Sequence, residues 1–302
     1  MTAERCEDPQ MWPRPEDRRR VHWEIERGLR GELLAAAPTD RDAVTREVYN
    51  RLFEKVPWHE ANTFDEAAEA AYEQFWFQLY GPLTRSTDTL VDLGCGRGSL
   101  VRQFAPAVRE CVGVDASDAM IAFAECNRPA NAHFIAGSLI EPPLKPESVD
   151  FVVTRQVMEH LHPDDIARHL DAVLRILRPG GRFLIETPNR LTGPWDISRG
   201  FTADATGFHL HEYTAGELGT LLHRAGFCRV RGPVLPSRLQ VRLRAGAARR
   251  AYVPVRVKAM LERGLEKLPV AARATLAGPL VAHQPPRRAS HARQVALLAE
   301  RG

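Results

Sequence analysis

Between Thr89 and Thr187 short apolar runs alternate with amphipathic stretches. Leu90, Val91 and Leu93 fit a strand buried on both faces, and comparable runs recur over 110–115, 132–136, 148–154 and 181–187. Strands separated by helical patterns in this way predict βα units and a parallel sheet. "CRVRGPVL" reads as a sixth strand and "ARQVALLAE", from Ala292 to Glu300, as the last.

Ahead of the sheet, Val21, Ile25, Leu29 and Leu33 share one helix face, and Val44, Val48, Leu52 and Phe53 share another, which Pro57 ends. A third helical stretch, Asp65 to Tyr80, gathers Ala68, Ala71, Tyr72, Phe75, Trp76 and Leu79 on one side, a core pattern rather than a ligand cage. After the fifth strand comes a polar connection of about 30 residues, long enough to imply function or disorder. A helix then runs from Tyr213-Thr214 through Leu218, Leu221 and Leu222 to Gly226. Pro254 opens another, with Val257, Met260, Leu261, Leu265 and Leu268 opposed by Arg256, Arg263 and Lys267. The expected organisation is a disordered tail (1–14), a helical cap (15–80) and one enlarged α/β domain (81–302) carrying a basic helical insertion (236–291).

Net charge is only +3, yet from Arg231 to Gly302 there are 15 Arg and Lys against Glu262, Glu266 and Glu300. That asymmetry suggests an anionic partner or a membrane surface for the insertion, and equally fits a solvated arginine-rich face. The cysteines, Cys6, Cys95, Cys111, Cys126 and Cys228, form no C-x-x-C pair, which suits a reducing compartment. No apolar run approaches the roughly 20 residues that span a bilayer, and "MTAERCEDPQ" is acidic where a secretory signal is apolar. A cytoplasmic protein is expected, peripheral to the membrane if the basic segment binds one.

The candidate chemistry begins at "TLVDLGCGRGSL". Gly94, Gly96 and Gly98 permit a tight turn on which a ligand can lie against bare backbone, and the helix that follows offers its N-terminus. A dinucleotide fingerprint would place its third glycine at Ser99, one position later than Gly98. The next strand ends in Asp115, placed to accept hydrogen bonds from a ribose.

"VDLGCGRG", "VGVDAS", "VDFVVTRQVMEHL" and "LRPGGRFLIETPN" together resemble, in order and spacing, the signatures of class I S-adenosylmethionine-dependent methyltransferases. The resemblance implies a Rossmann-like, seven-stranded, mostly parallel sheet whose last strand is antiparallel, with S-adenosyl-L-methionine as cofactor. It assigns cofactor contacts to Asp92, Gly94, Cys95, Gly96 and Gly98, to Asp115, Ala116 and Met120, to Ser138 and Leu139, and to Arg155 and Gln156. Ser138 stands where many members carry an acidic residue for the adenine amine. It also implies that Trp58 and His59 line a substrate entrance.

Gln156, Glu159 and His160 stand where some relatives carry a metal-binding Glu-x-x-Glu-His pattern. An amide in the first position weakens a hard-cation site, so no metal is expected; one would need His209 or His211. If a side chain takes a proton from the acceptor, His211 is the first choice and His209 the second, because imidazole titrates near neutrality. The expected reaction is methyl transfer to an oxygen or nitrogen of a small molecule, such as a natural product, a sugar or a lipid-linked intermediate. Nucleic acid is not expected as a partner. The alternatives are an RNA or protein methyltransferase docking through the arginine-rich part, and a cofactor-binding protein without turnover.

Overall fold

In a computed structural model the described residues are 13–59, 66–233, 252–268 and 294–302. Three helices come first: α1 (Pro15–Ala35), α2 (Arg41–Lys55) and α3 (Glu66–Tyr80). The α/β core follows, with β1 (Thr89–Leu93), α4 (Ser99–Phe104), β2 (Glu110–Asp115), α5 (Asp118–Glu125), β3 (Ala132–Ala136), β4 (Val149–Arg155), α6 (Ile166–Ile176) and β5 (Leu177–Pro188). The chain closes with α7 (Ala215–Arg224), β6 (Phe227–Pro233), β7 (Tyr252–Pro254), α8 (Val255–Glu266) and β8 (Gln294–Arg301).

The sheet order is β3-β2-β1-β4-β5-β8-β6-β7. From β3 to β5 every pairing is parallel, and β8 slots antiparallel between β5 and β6. Among the described residues the sheet has eight strands, not seven. The extra one, β7, pairs antiparallel with β6 over Tyr252, Val253 and Pro254. Three residues are too few to show a period-2 pattern, and Pro254 is tolerated because β7 lies at the edge. Part of the insertion expected to be helical is therefore strand and part, Val255–Glu266, is helix; its segments 236–251 and 269–291, like residues 1–12, lie outside the described residues.

Apolar side chains fill both faces of the sheet. One side packs Ile166, Leu170 and Val173 of α6 and Leu218 and Leu222 of α7 against Val91, Val152, Phe183 and Leu297. The other packs Trp76, Leu79, Leu100 and Phe104 against Leu90, Phe151, Leu184 and Leu298. The central strand β1 is buried along its whole length because both faces are covered, whereas β3 and β7 at the ends of the sheet keep exposed positions.

The first two helices build a separate core. Leu29, Leu33, Val48, Leu52 and Val56 cluster with Phe208 and Leu210, so the cap packs on the long connection after β5. That connection is consequently ordered, and helix α7 after it is fixed by a capping box between Thr214 and Glu217.

Candidate active site

The three loop glycines all take positive φ, +87° at Gly94, +51° at Gly96 and +76° at Gly98. Their surroundings differ. A Cβ on Gly94 would stand 2.3 Å from Val157 Cγ2, and one on Gly98 would stand 2.5 Å from the Phe134 ring, whereas at Gly96 nothing lies within 4 Å. Gly94 and Gly98 let the turn pack down; Gly96 turns its bare side to open space. The Gly96 amide donates to Asp115 Oδ2 at 2.8 Å and the Ser117 amide to Oδ1 at 2.9 Å. The carboxylate is thereby held beside the turn. Cys95 packs inward, where a Cβ on Gly113 would meet its sulfur at 2.8 Å, and burial pushes its thiol up.

The remaining expected cofactor residues occupy the ends of the neighbouring strands. Ala116 lies in the turn after β2, and the Met120 amide donates to Ser117 at the start of α5. Ser138 Oγ already accepts the amides of Ile140 and Glu141, so what its hydroxyl has left to offer is chiefly its proton. Leu139 reaches the glycine turn, within 3.7 Å of the position a Gly94 Cβ would take. Gln156 has φ +56°, its amide donates to Glu186 O at 3.0 Å, and its buried side-chain nitrogen has no hydrogen-bond partner among the described residues. A strained backbone and an unused donor in a crevice mark a ligand contact.

Asp92 and Arg155 belong to a buried charge cluster. Arg155 pairs with Glu73 of α3 and lies over the Trp76 ring, and Tyr80 donates to Glu186 Oε2 at 3.3 Å. Burial pushes the Asp92 carboxyl up to about 7; Arg155 opposes the rise, while Glu73 and Asp115 add to it. The sequence reading missed Glu73 and Glu186, which lie in a helical stripe and a strand otherwise read as core.

Just beyond Gln156 in the chain stand Glu159 and His160, which the structure brings together with His209. Glu159 is fully buried and accepts the Thr187 hydroxyl at 2.9 Å. His160 Nδ1 lies 3.0 Å from both Tyr49 OH and Phe208 O, and His209 Nδ1 lies 2.8 Å from Glu212 Oε1. Burial pushes Glu159 up to about 7 and His160 down to about 3. For His209 burial acts downward, but the Glu212 hydrogen bond and the Glu159 and Glu212 charges prevail, and its pKa is raised. Burial also raises Tyr49, as do the charges of Glu26, Glu159 and Asp115, so the cap lies within electrostatic reach of both ends of the site.

Helix α1 holds the loop that carries His209. Arg30 donates to the carbonyls of Gly207, His209 and Leu210, and Glu26 Oε2 accepts the Phe208 amide at 2.9 Å. His211 faces elsewhere. It lines a groove of about 770 Å³ between α7 and α8, together with Arg224, Arg256 and Arg263. The two histidines are two residues apart yet meet different partners, His209 the Glu212 carboxylate and the His160 ring, His211 the Tyr213 ring. Trp58 and His59 lie on the cap, Trp58 packed on its apolar cluster and the His59 ring 5.0 Å from His22.

Residues 91–185 match the sequence family described as "Methyltransferase domain". The chain is 37% identical over 163 residues to a probable S-adenosylmethionine-dependent methyltransferase of Mycolicibacterium smegmatis, covering 52% of this chain and 61% of that one. It is 35% identical over 162 residues to another of Mycobacterium tuberculosis, covering 51% and 56%. Each match spans less than two thirds of the relative. Among solved structures, a methyltransferase from Archaeoglobus fulgidus superposes with a TM-score of 0.51 at 19% identity, over 77% of this chain and 94% of that one. Phosphoethanolamine N-methyltransferase 2 of Haemonchus contortus, solved with S-adenosylhomocysteine, gives 0.51 at 17% identity over 82% and 59%. These two likenesses establish the fold. The open edge at Gly96, the tethered carboxylate of Asp115 and the unused donor of Gln156 fit S-adenosylmethionine, and residues 91–185 carry the methyltransferase-domain pattern that the chain shares with these S-adenosylmethionine-dependent relatives.

Proposed function

We propose that the protein transfers a methyl group from S-adenosylmethionine to an oxygen or nitrogen of a small molecule held between the cofactor crevice and the Glu159–His160–His209 cluster. The observation that carries this reading is the cap: α1 and α2 bury Phe208 and Leu210 of the loop, so the polar cluster sits under a packed lid. A lid suits an acceptor small enough to be enclosed. Bound at the glycine turn, the cofactor supplies a methyl group already activated by its sulfonium. The protein's part is to align the acceptor about 3 Å from that carbon and exclude water. Asp115 holds the ribose, and Gly96 leaves room for the chain beside it. His209, oriented by Glu212, is better placed than His211 to take a proton from the acceptor.

Methyl transfer is tested by mass spectrometry of small-molecule extracts incubated with enzyme and cofactor, where a product heavier by one methyl group is expected. No such product, with cofactor binding intact, would reject the small-molecule reading. The exposed Arg256 and Arg263 of α8 and Arg224 of α7 border the groove that holds His211, which supports an anionic partner for this face. An RNA or protein docked there would dissociate steeply as salt is raised. Among the described residues no helix is long and apolar enough to cross a membrane.

A further inference from the structure

Helix α8 turns its apolar stripe outward. Val257, Met260, Leu261 and Gly264 stand at i, i+3, i+4 and i+7, a spacing that would ordinarily face the core. The buried positions are instead Val255, Lys258, Ala259, Glu262 and Leu265. Met260 is 59% exposed and Leu261 38%, so two of the four large apolar side chains left exposed among the described residues are neighbours on this helix.

Polar contacts fix that rotation. Lys258 Nζ donates to Pro233 O at 3.4 Å, and Glu262 accepts Asn189 Nδ2 at 3.0 Å and the Gly216 amide at 3.2 Å. Val255 packs on Gly219, where a Cβ would stand 2.7 Å from Val255 Cγ2. Turning Met260 and Leu261 inward would pull a buried ammonium and a buried carboxylate away from these partners, which is costly. The outward stripe is a built feature of the fold.

Charge points the same way. Between Arg231 and Ala299 the sequence contains two acidic residues, Glu262 and Glu266. Glu262 is buried, and Glu266 lies 3.9 Å from Arg190 at the groove beside α7. Arg256, Arg263 and Lys267 are exposed, spaced i, i+7 and i+11, and make no ion pair or hydrogen bond among the described residues. Away from Glu266, the exposed surface of α8 offers cations and apolar groups and no negative charge.

We infer that the outer face of α8 docks the protein on a membrane surface that carries anionic phospholipid. A helix lying in that interface sets basic side chains among the headgroups and apolar ones at the acyl boundary. A nucleic-acid backbone would satisfy the arginines but leave Met260 and Leu261 without an apolar partner. Through Glu262 the helix is tied to Asn189, just past the carboxyl end of β5, and Asp115 and Gln156 lie at the same end of the parallel strands. Docking face and cofactor crevice therefore share one end of the sheet.

The test is co-sedimentation of the full chain, without cofactor or acceptor, with vesicles of phosphatidylcholine alone or mixed with phosphatidylglycerol. Its outcome is independent of the methyl-transfer reading, which needs no membrane. Binding to the mixed vesicles and not to the neutral ones is expected, falling as salt is raised. Each cation beside an anionic surface is worth about 5-fold, so Arg256→Gln, Arg263→Gln and Lys267→Gln combined should weaken partitioning on the order of 100-fold. Met260→Ser with Leu261→Ser should weaken it at least about 10-fold, and Met260→Trp should tighten it, because indole favours the headgroup level. S-adenosylhomocysteine affinity should stay at the wild-type level in every variant, which shows that each has folded. Absence of binding to the mixed vesicles, or binding that either weakened variant retains at wild-type strength, would overturn the inference. A dimer that Met260→Ser with Leu261→Ser dissociates, seen by light scattering, would overturn it too, by making a second copy the occupant.

Discussion

The two sides of the site are built from different material. On the cofactor side the key groups are backbone: a turn of glycines, the amides of Gly96 and Ser117, and one carboxylate pinned between them. All lie within a single βαβ unit, between β1 and α5. On the proposed acceptor side the groups are side chains from separate segments: Tyr49 of α2, Glu159 and His160 after β4, and His209 and Glu212 of the long connection. A site made of backbone announces itself by glycine spacing, because few other residues can adopt those angles. A site made of convergent side chains depends on how distant segments pack.

The sharpest break in this comparison concerns two histidines. With the acceptor as substrate, His209→Ala should lower turnover about 10²- to 10⁴-fold, the usual worth of a positioned proton acceptor, while leaving cofactor affinity in place. His211→Ala, in its separate groove, should change turnover by less than about 10-fold. Steady-state kinetics on both decide it; equal losses would mean that the two histidines serve one site.

On the cofactor side, Asp115→Ala should weaken S-adenosylhomocysteine binding about 100-fold or more by calorimetry. The ribose would lose charge-assisted hydrogen bonds of about 1.5–3 kcal/mol each, and the Gly96 amide its anchor. Wild-type affinity would remove Asp115 from the site.

Arg30 tests whether the cap belongs to the acceptor side alone. Arg30→Ala strips three loop carbonyls of their donor, and a displacement of His209 by about an ångström should cost about 10- to 100-fold in kcat while cofactor affinity stays unchanged. Arg30→Lys, which keeps the charge but not the fork, should recover only part.

The smallest effect is on pH dependence. Asp92 has its folded pKa raised to about 7 by burial. Its contribution to stability is fully present below the unfolded value, near 4, and is lost as pH rises through about 7. The cofactor-free protein should therefore show a falling urea midpoint across that window, and Asp92→Asn, which stays neutral, should flatten the curve. A curve unchanged by the substitution would mean that Asp92 is solvated in solution.

Most of the parallel sheet could be read from sequence because each strand is a compact apolar run with its own turn. The strand boundaries moved little: the fourth strand gained Arg155, and the fifth begins at Leu177 rather than Gly181. The eighth strand could not be read, since Tyr252 to Pro254 is strand only by virtue of the β6 edge it meets. His209 and His211 looked equivalent because they share one loop and one residue type. The fold separates them: His209 meets Glu212 and His160 while His211 packs on Tyr213, and the loop takes that course because Arg30 and Glu26 grip its backbone from the cap.

The sequence by itself pointed to a ribose-bearing ligand, because a bare turn and the carboxylate beside it are fixed by local backbone geometry within about 25 residues, and the resemblance of its four motifs implied which one. Tertiary structure alone decided what stands opposite. Glu73 meets Arg155 and Tyr49 meets His160 only after α3 and α2 have packed on segments 82 and 111 residues further along the chain, and His160 meets His209 only once the cap has folded onto the loop. Such contacts are set by the packing of Leu29, Leu52 and Phe208, whose apolar character reveals that they are buried but not against which partner.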